Sequence, residues 1–481
     1  MASEQGPQLP EGAAYARHRP EHTLLYQIVE ENYPTFRDLL ERQGRPLPSY
    51  VAREFDDFLR CGRLEHGFLR VRCDCCHHEK LVAFSCKRRG FCPSCGARRM
   101  AESAALLVDD VFPKRPVRQW VLSVPFPLRF LFANHPTIMG QVLRIVYRAI
   151  ATYLCHKAGF KRAAAQTGAV TLIQRFGSAL NLNIHFHMLF LDGVYIQPTE
   201  GTLRFRQIAP PTAEELQTLL HRITHRVACY LERQGLLERD VENSYLALEQ
   251  CDEDVDAMPD LYGHSITYHI ALGSQRGRKV FTLQTLPPHA TGNSRTRLAT
   301  EAGFSLHAGV AARADQRDKL ERLCRYISRP AVSERRLSLT ANGQVRYQLK
   351  TPYRERLAAL VPRPRVNLTR FHGVFAPNSA WRTVVTPAGR GRRLGMGQPE
   401  EASSTPAERR AAMTWAQRLK RVFSIDVTVC EQCGGAVRVI ACIEEPTVIT
   451  RILSHLAQSG SPDQRPSGHD PPQLDFFARV I

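Results

Sequence analysis

Two histidines separated by one apolar residue, His185-Phe186-His187, are the residues of this chain best placed to do chemistry. They lie in the run Asn183–Leu191, whose apolar residues predict a β-strand. Side chains alternate faces along a strand, so both imidazoles should project from one face while Phe186 points into a core on the other. Because neutral imidazole is the commonest protein ligand for divalent ions, the pair predicts a metal site. Two half-buried histidines on an ordinary strand are the alternative.

A two-histidine site needs at least one more ligand. If the predicted strand Ala169–Phe176 folds back on Leu182–Val194, Gln174 falls opposite His185, about 5 Å away at Cβ. We therefore predict Gln174 as the third ligand, unless its amide only hydrogen-bonds the turn, with His307 from another predicted strand as the alternative ligand. The open positions of such a site suit Mg²⁺ or Mn²⁺ polarising a phosphate oxygen.

That chemistry requires a nucleophile, and Tyr326 lies in a predicted helix from Ala314 to Arg329 that Pro330 ends. Three apolar residues form the stripe that we expect to be buried, with Tyr326 at its edge: Leu320, Leu323 and Ile327. Three arginines on the polar face could hold flanking phosphates: Arg322, Arg325 and Arg329. A tyrosine that attacks a phosphodiester forms a covalent phosphotyrosine and releases a 3′-hydroxyl. A tyrosine packed at the helix boundary is the alternative.

Two Cys-x-x-Cys pairs, Cys73/Cys76 and Cys92/Cys95, lie fifteen residues apart. Each forms a knuckle, and two knuckles on adjacent hairpins predict one structural Zn²⁺ closed by four thiolates. A different ligand set or a second ion is left open by further residues nearby: Cys61, Cys75, Cys86, His66, His77 and His78. The pair Cys430/Cys433 reads as half of another ribbon, either metal-binding or vestigial.

The charge of the chain favours a polyanionic partner. Lys and Arg number 65 against 46 Asp and Glu, which gives a formal charge of +19 and a pI of about 9.6. Close to the cysteines, Lys87, Arg88 and Arg89 are candidates for phosphate contacts, with a solvated basic face as the alternative. No secretory signal pattern and no spanning segment are visible, and the 14 cysteines indicate metal binding rather than disulfides. We expect a cytoplasmic protein associated with nucleic acid.

The order of the predicted elements favours an α+β fold with an antiparallel sheet. Helices are predicted over Glu21–Cys61, Thr137–Cys155 and Pro211–Gln234. Besides the two strands already described, Leu106–Phe130 is predicted to be strand-rich, with Gln119–Val124 as the clearest strand, Tyr262–Leu286 to hold short strands, and Phe304–Val310 to be a strand. The predicted segments are 1–60, helical; 61–105, zinc ribbon; 106–335, nuclease core; 336–386, its continuation; 387–410, a linker; and 411–481, a helix and the last cysteine module.

These motifs resemble the rolling-circle transposases of bacterial insertion sequences, the insertion-sequence-91 family, which are HUH endonucleases. The resemblance covers roughly residues 20–455 and is carried by Cys73-x2-Cys76, Ser85-Cys86-Lys87, Cys92-Pro93-Ser94-Cys95, Gln174-x2-Gly177-x2-Leu180-Asn181, His185-x-His187, Arg325-Tyr326-Ile327-x-Arg329-Pro330 and Arg370-Phe371-His372-Gly373-Val374. It implies an HUH nuclease core after a zinc-binding domain, and metal-dependent nicking and rejoining of single-stranded DNA at element ends through a 5′-phosphotyrosine. It also implies that His185 and His187 are ligands and that Tyr326 is the nucleophile in a bacterial, nucleoid-associated enzyme.

The chain departs from its relatives at two places. Some relatives carry a second tyrosine one helical turn earlier, where this chain has Arg322, so it resembles the one-tyrosine type. Relatives also usually have a longer segment where Thr351–Glu355 runs directly into Arg356–Leu360.

Three other functions fit part of the pattern. A barrel-type metal hydrolase also carries His-x-His but would not explain the zinc ribbon or the charge. A zinc-ribbon DNA-binding protein without activity, including a decayed transposase, would leave His185, His187 and Tyr326 unused. A plasmid replication initiator or relaxase would share the chemistry but not the flanking blocks.

Overall fold

The structure is a computed structural model that divides into two compact units. It describes residues 19–177, 180–198, 202–239, 244–246, 256–273, 276–279, 297–334, 337–339, 345–347, 356–389 and 429–458. The smaller unit comprises Met1–Glu30, Phe55–Arg88 and Glu408–Ile481, and the larger comprises Glu31–Glu54 and Arg89–Ala407. The linker beyond residue 389, the helix expected after it and the shortened segment at 351–355 lie outside the described residues.

The described elements alternate between helices and short strands. The α-helices are α1 (Leu24–Arg42), α2 (Ser49–Arg60), α3 (Pro93–Ala105), α4 (Phe126–Asn134), α5 (Pro136–Lys157), α6 (Ala213–Arg233), α7 (Met258–Thr267), α8 (Arg317–Ile327), α9 (Arg356–Leu360), α10 (Arg382–Val385) and α11 (Pro446–Gln458). The strands are β1 (Phe68–Cys73), β2 (Glu79–Ala83), β3 (Val117–Ser123), β4 (Ala165–Gln166), β5 (Gly168–Phe176), β6 (Leu182–Leu191), β7 (Gly193–Ile196), β8 (Arg204–Gln207), β9 (Glu238–Arg239), β10 (Ser244–Tyr245), β11 (Leu298–Glu301), β12 (Phe304–Ala312), β13 (Leu337–Leu339), β14 (Val345–Tyr347), β15 (Thr369–Gly373) and β16 (Val437–Ile443).

A six-stranded antiparallel sheet is the centre of the larger unit. Its strand order is β11-β12-β3-β6-β5-β15, so the strand that carries the two histidines, β6, pairs with a strand on each side. The α+β class with an antiparallel sheet is confirmed. An all-antiparallel sheet also excludes the barrel hydrolase, which needs parallel strands joined by helices.

Both faces of this sheet are covered, which explains the nearly continuous apolar run of β6. On one face Phe186 is fully buried and stacks on Phe132 of α4, and Phe190 stacks on Tyr147 of α5. On the other face one hydrophobic cluster joins β6 and β5 to the helices α3 and α8. It includes Leu172, Leu189, Leu191, Leu320, Leu323, Cys324 and Ile327. The histidines share that second face, so the apolar stripe of α8 anchors the helix against their side of the sheet.

The smaller unit contains a three-stranded antiparallel sheet of order β16-β1-β2. The hairpin β1–β2 pairs Phe68 with Ala83 and Arg72 with Glu79, and β16 adds to the free edge of β1. The strand β16, which begins at Val437, therefore completes a sheet whose other two strands begin far earlier in the sequence, at Phe68 and Glu79.

Three predictions are wrong in part, and residues 280–286 of the predicted strands Tyr262–Leu286 lie outside the described residues. Leu106–Val111 is a π-helix that continues α3, and Phe126–Asn134 is helical, so only Val117–Ser123 of the predicted strand-rich region is a strand. Met258–Thr267 is a helix because its buried residues recur with a helical rather than an alternating period: Met258, Leu261, Tyr262, Ser265 and Ile266. Cys92 and Cys95 do not lie on a hairpin, since Cys92 occupies the N-cap position of α3 and Pro93 fits the first helical position.

Candidate active site

The two histidines project side by side from β6, next to a glutamine on β5. Gln174 pairs directly with His185, which is the register that the sequence predicts. The two Nε2 atoms of His185 and His187 lie 3.1 Å apart, and His187 Nε2 lies 3.2 Å from Gln174 Oε1. Two imidazole nitrogens and one amide oxygen therefore converge on one point of the sheet face.

Hydrogen bonds at the far side of each ring decide which nitrogen is available as a ligand. His185 Nδ1 donates to the backbone carbonyl of Asn183 at 2.9 Å, which leaves the Nε2 lone pair free for a metal. At the other ring, the amide nitrogen Nε2 of Gln119 lies 2.7 Å from His187 Nδ1. Gln119 belongs to β3, is 4% exposed, and has no motif around it that would identify it from the sequence.

The site keeps its histidines neutral. Burial lowers the pKa of His185 to about 4, although the carbonyl of Asn183 raises it, and the positive charges of Arg329 and Arg129 lower it further. Burial also holds the pKa of His187 well below its usual value, with His185 and Arg329 adding to the effect. A neutral imidazole can bind a metal ion, whereas its protonated form cannot. The same arginines make the surroundings favourable for a phosphate.

The donor set fits a divalent ion. Ligands that are neighbours in an octahedral shell with bonds of about 2.1 Å lie about 3 Å apart, close to the separations of His187 Nε2 from His185 Nε2 and from Gln174 Oε1. Gln174 turns its oxygen to the histidines, and its buried Nε2 has no hydrogen-bond partner among the described residues. His307 lies opposite Val121 of β3, which in turn lies opposite His187, so it is two strand spacings away, about 10 Å. Gln174 is therefore the better placed of the two candidates.

Tyr326 reaches the same face of the sheet from α8. Its ring lies 6.4 Å from the His187 ring, centroid to centroid, and its side chain is 47% exposed. The guanidinium of Arg329 covers the tyrosine ring at 4.2 Å and donates to the Tyr326 carbonyl oxygen at 2.7 Å. The helix thus presents an accessible phenol beside the histidines, with a cation next to it.

The basic residues predicted to contact DNA differ in their surroundings. Arg322 and Lys87 are exposed. Arg325 is bonded to Glu321 at 2.5 Å, and Arg88 to Asp57, so part of each charge is already neutralised. Arg89 donates to the Val366 carbonyl oxygen at 2.7 Å.

The cysteines group differently from the prediction. Cys73 and Cys76 lie with Cys430 and Cys433, all four Sγ atoms within 4.8 Å of one another, where the sequence prediction had Cys92 and Cys95. The backbone N–H of Cys76 lowers the pKa of the Cys73 thiol to about 6, which favours the thiolate that zinc binds. Both Cys92 and Cys95 are buried at the start of α3.

Two family models match the chain. Residues 28–124 match the transposase zinc-binding domain of the insertion-sequence-91 family. Residues 168–381, which include the candidate site, match a second family model, which describes a transposase. No curated protein and no solved structure matches. The chain is an insertion-sequence-91-type transposase with an N-terminal zinc-binding domain, and the cysteine cluster supports a structural zinc. Among the described helices, none is long and apolar enough to cross a membrane.

Proposed function

We propose that this transposase nicks and rejoins single-stranded DNA at the ends of its element through a 5′-phosphotyrosine on Tyr326. The observation that carries the proposal is the convergence of His185 Nε2, His187 Nε2 and Gln174 Oε1 on the sheet face that Tyr326 also reaches. An HUH nuclease core has these parts, and no single motif of the sequence would place them together.

The proposed reaction uses three metal ligands and one nucleophile. His185, His187 and Gln174 would hold a Mg²⁺ or Mn²⁺ ion, which when bound would polarise the scissile phosphate. The Tyr326 hydroxyl attacks the phosphorus and loses its proton to water, and the bond from phosphorus to the 3′-oxygen breaks as that oxygen takes up a proton from water. Reversal of these steps by a new 3′-hydroxyl restores the phosphodiester and frees the tyrosine.

The arginines around Tyr326 orient the DNA. Arg329 lies against the tyrosine ring, where its guanidinium can also donate to the scissile phosphate. Arg322 lies one helical turn before Tyr326 and is exposed, so it suits a flanking phosphate. A single strand can bend its scissile phosphate to lie in line with Tyr326, which the stacked geometry of a duplex obstructs. Because Arg322 replaces a second tyrosine, one subunit cannot alternate between two nucleophiles.

The test is the trapping of a covalent adduct. The purified chain is incubated with labelled single-stranded oligonucleotides from both ends of its element, with Mn²⁺ or Mg²⁺, and denatured. We expect a metal-dependent protein–DNA adduct that is lost in Tyr326→Phe and His187→Ala. The matched control is Tyr230→Phe, a partly exposed tyrosine on the helix α6, which should form the adduct normally.

Two other outcomes would contradict the proposal. An adduct that persists in Tyr326→Phe would refute the assignment of the nucleophile. Salt-sensitive DNA binding without an adduct under any condition would support the alternative, a DNA-binding protein without nuclease activity.

A further inference from the structure

Four cysteines of the smaller unit form two facing pairs. Cys73 Sγ lies 3.5 Å from Cys433 Sγ, and Cys76 Sγ lies 3.5 Å from Cys430 Sγ. Four sulfurs placed tetrahedrally at about 2.3 Å from a Zn²⁺ ion lie about 3.8 Å from one another. The two separations are thus close to those of a four-thiolate zinc site.

The backbone of the second pair forms a knuckle. Cys430 N donates to the Gly435 carbonyl oxygen, and Gly434 N donates to the Cys430 carbonyl oxygen, both at 2.8 Å. Gly434 has a φ of +71°, in the left-handed region that glycine adopts without strain. A Cβ on Gly435 would lie 2.7 Å from Cys75 Sγ and 3.2 Å from Cys73 Sγ. Two glycines therefore let this turn approach the first cysteine pair closely.

Further contacts connect the two knuckles. Strand β16 follows the second knuckle and pairs with β1, with Val437 opposite Cys73, and Asp74 N donates to the Ala436 carbonyl oxygen at 2.9 Å. Two ion pairs also cross between the segments, Lys80 with Glu431 at 2.5 Å and Arg438 with Asp74 at 2.8 Å. The backbone hydrogen bonds, the two ion pairs and the sulfur positions all place the second cysteine pair next to the first.

We propose that Cys73, Cys76, Cys430 and Cys433 bind one structural Zn²⁺, so that the zinc-binding module is discontinuous and is completed by the C-terminal segment. The family match for the zinc-binding domain ends at residue 124, so it contains only half of this ligand set. The inference does not depend on the nuclease proposal.

A zinc ion bound at this site would connect the C-terminal segment to the strands β1 and β2. Its two halves are 354 and 360 residues apart along the chain. Because the cost of closing a loop rises only logarithmically with its length, a metal can connect such distant residues. The binding free energy of the ion then becomes folding free energy of the sheet β16-β1-β2. Removal of zinc should therefore release β16 while β1 and β2 still form their hairpin.

Cobalt substitution of the full chain tests the ligand set directly. Zn²⁺ is replaced by Co²⁺, whose d–d absorption moves to shorter wavelength when an imidazole replaces a thiolate. We expect this shift in Cys433→His, which exchanges one ligand type for another. The matched control is Cys442→His on β16, an exposed cysteine whose Sγ contacts Glu444, and its spectrum should equal that of the wild type.

Zinc content gives the second readout. The double variant Cys430→Ser, Cys433→Ser should bind one Zn²⁺ fewer per chain than the wild type, and amide exchange in β16 should rise. Cys442→Ser should change neither quantity. An unshifted cobalt spectrum in Cys433→His, or an unchanged zinc content in the double variant, would overturn the proposal.

Discussion

Replacement of Gln119 by leucine should weaken metal binding without removing any ligand. Gln119 and His187 are both buried, 4% and 5% exposed, so water cannot replace the 2.7 Å contact of the amide with His187 Nδ1. If the amide nitrogen donates to Nδ1, the ring carries its proton on Nε2 and cannot be a ligand. If the amide is turned so that its oxygen accepts from Nδ1, the Nε2 lone pair is free. We therefore expect metal binding to select the second orientation.

The expected magnitude follows from the loss of this one partner. Residues that orient a ligating histidine typically contribute 10- to 100-fold to metal affinity, about 1.4–2.7 kcal/mol. Gln119→Leu should weaken Mn²⁺ binding by that factor, measured by calorimetric titration of the full chain. Gln119→Glu should bind Mn²⁺ at least as tightly as the wild type, because a carboxylate only accepts and so keeps the proton on Nδ1.

The opposite responses to leucine and glutamate separate orientation of the histidine from simple packing. The matched control is Gln207→Leu on β8, an exposed position that should leave the affinity unchanged. Suppose that the Gln119→Leu protein unfolds cooperatively on heating and its affinity for Mn²⁺ is within twofold of that of the wild type. This result would refute the role of Gln119 in orienting His187. So would a glutamate variant that binds as weakly as the leucine variant.

Three other outcomes can be measured on the same protein. Burial lowers the pKa of His372 to about 4; below about pH 6.5 the unfolded chain takes up a proton that the folded chain does not, so stability falls as the pH falls. The free energy of unfolding, measured in urea, should therefore fall between pH 7 and pH 5 by about 2 kcal/mol less in His372→Phe than in the wild type. An equal fall in the two proteins would show that the buried histidine does not cause the pH dependence. Gly435→Ala should speed the release of zinc to a chelator, because its Cβ would meet Cys75 Sγ at 2.7 Å, whereas an unchanged release rate would show that the turn adapts. Arg322→Gln should reduce the slope of log affinity for single-stranded DNA against log salt by about 1, and an unchanged slope would mean that Arg322 contacts no phosphate.

Local patterns were sufficient for the parts of the site that lie on single elements. The alternation of β6 placed both histidines on one face and Phe186 in the core, because the strand period is two whatever the strand packs against. The stripe of Leu320, Leu323 and Ile327 likewise fixed the buried side of α8 and left Tyr326 at its edge. The antiparallel pairing of β5 with β6 also followed, since a short turn allows little other register.

Contacts between distant segments were decided only by the tertiary structure. Spacing suggested Cys92 and Cys95 as partners of Cys73 and Cys76, but Pro93 starts a helix there, and β16 instead brings Cys430 and Cys433 to the first pair. The role of Gln119 depends on β3 lying next to β6, which no local signal encodes. Sequence periodicity records which face of an element is buried, whereas the choice of neighbouring element depends on the packing of the whole chain, and both the zinc ligands and the partner of His187 depend on that choice.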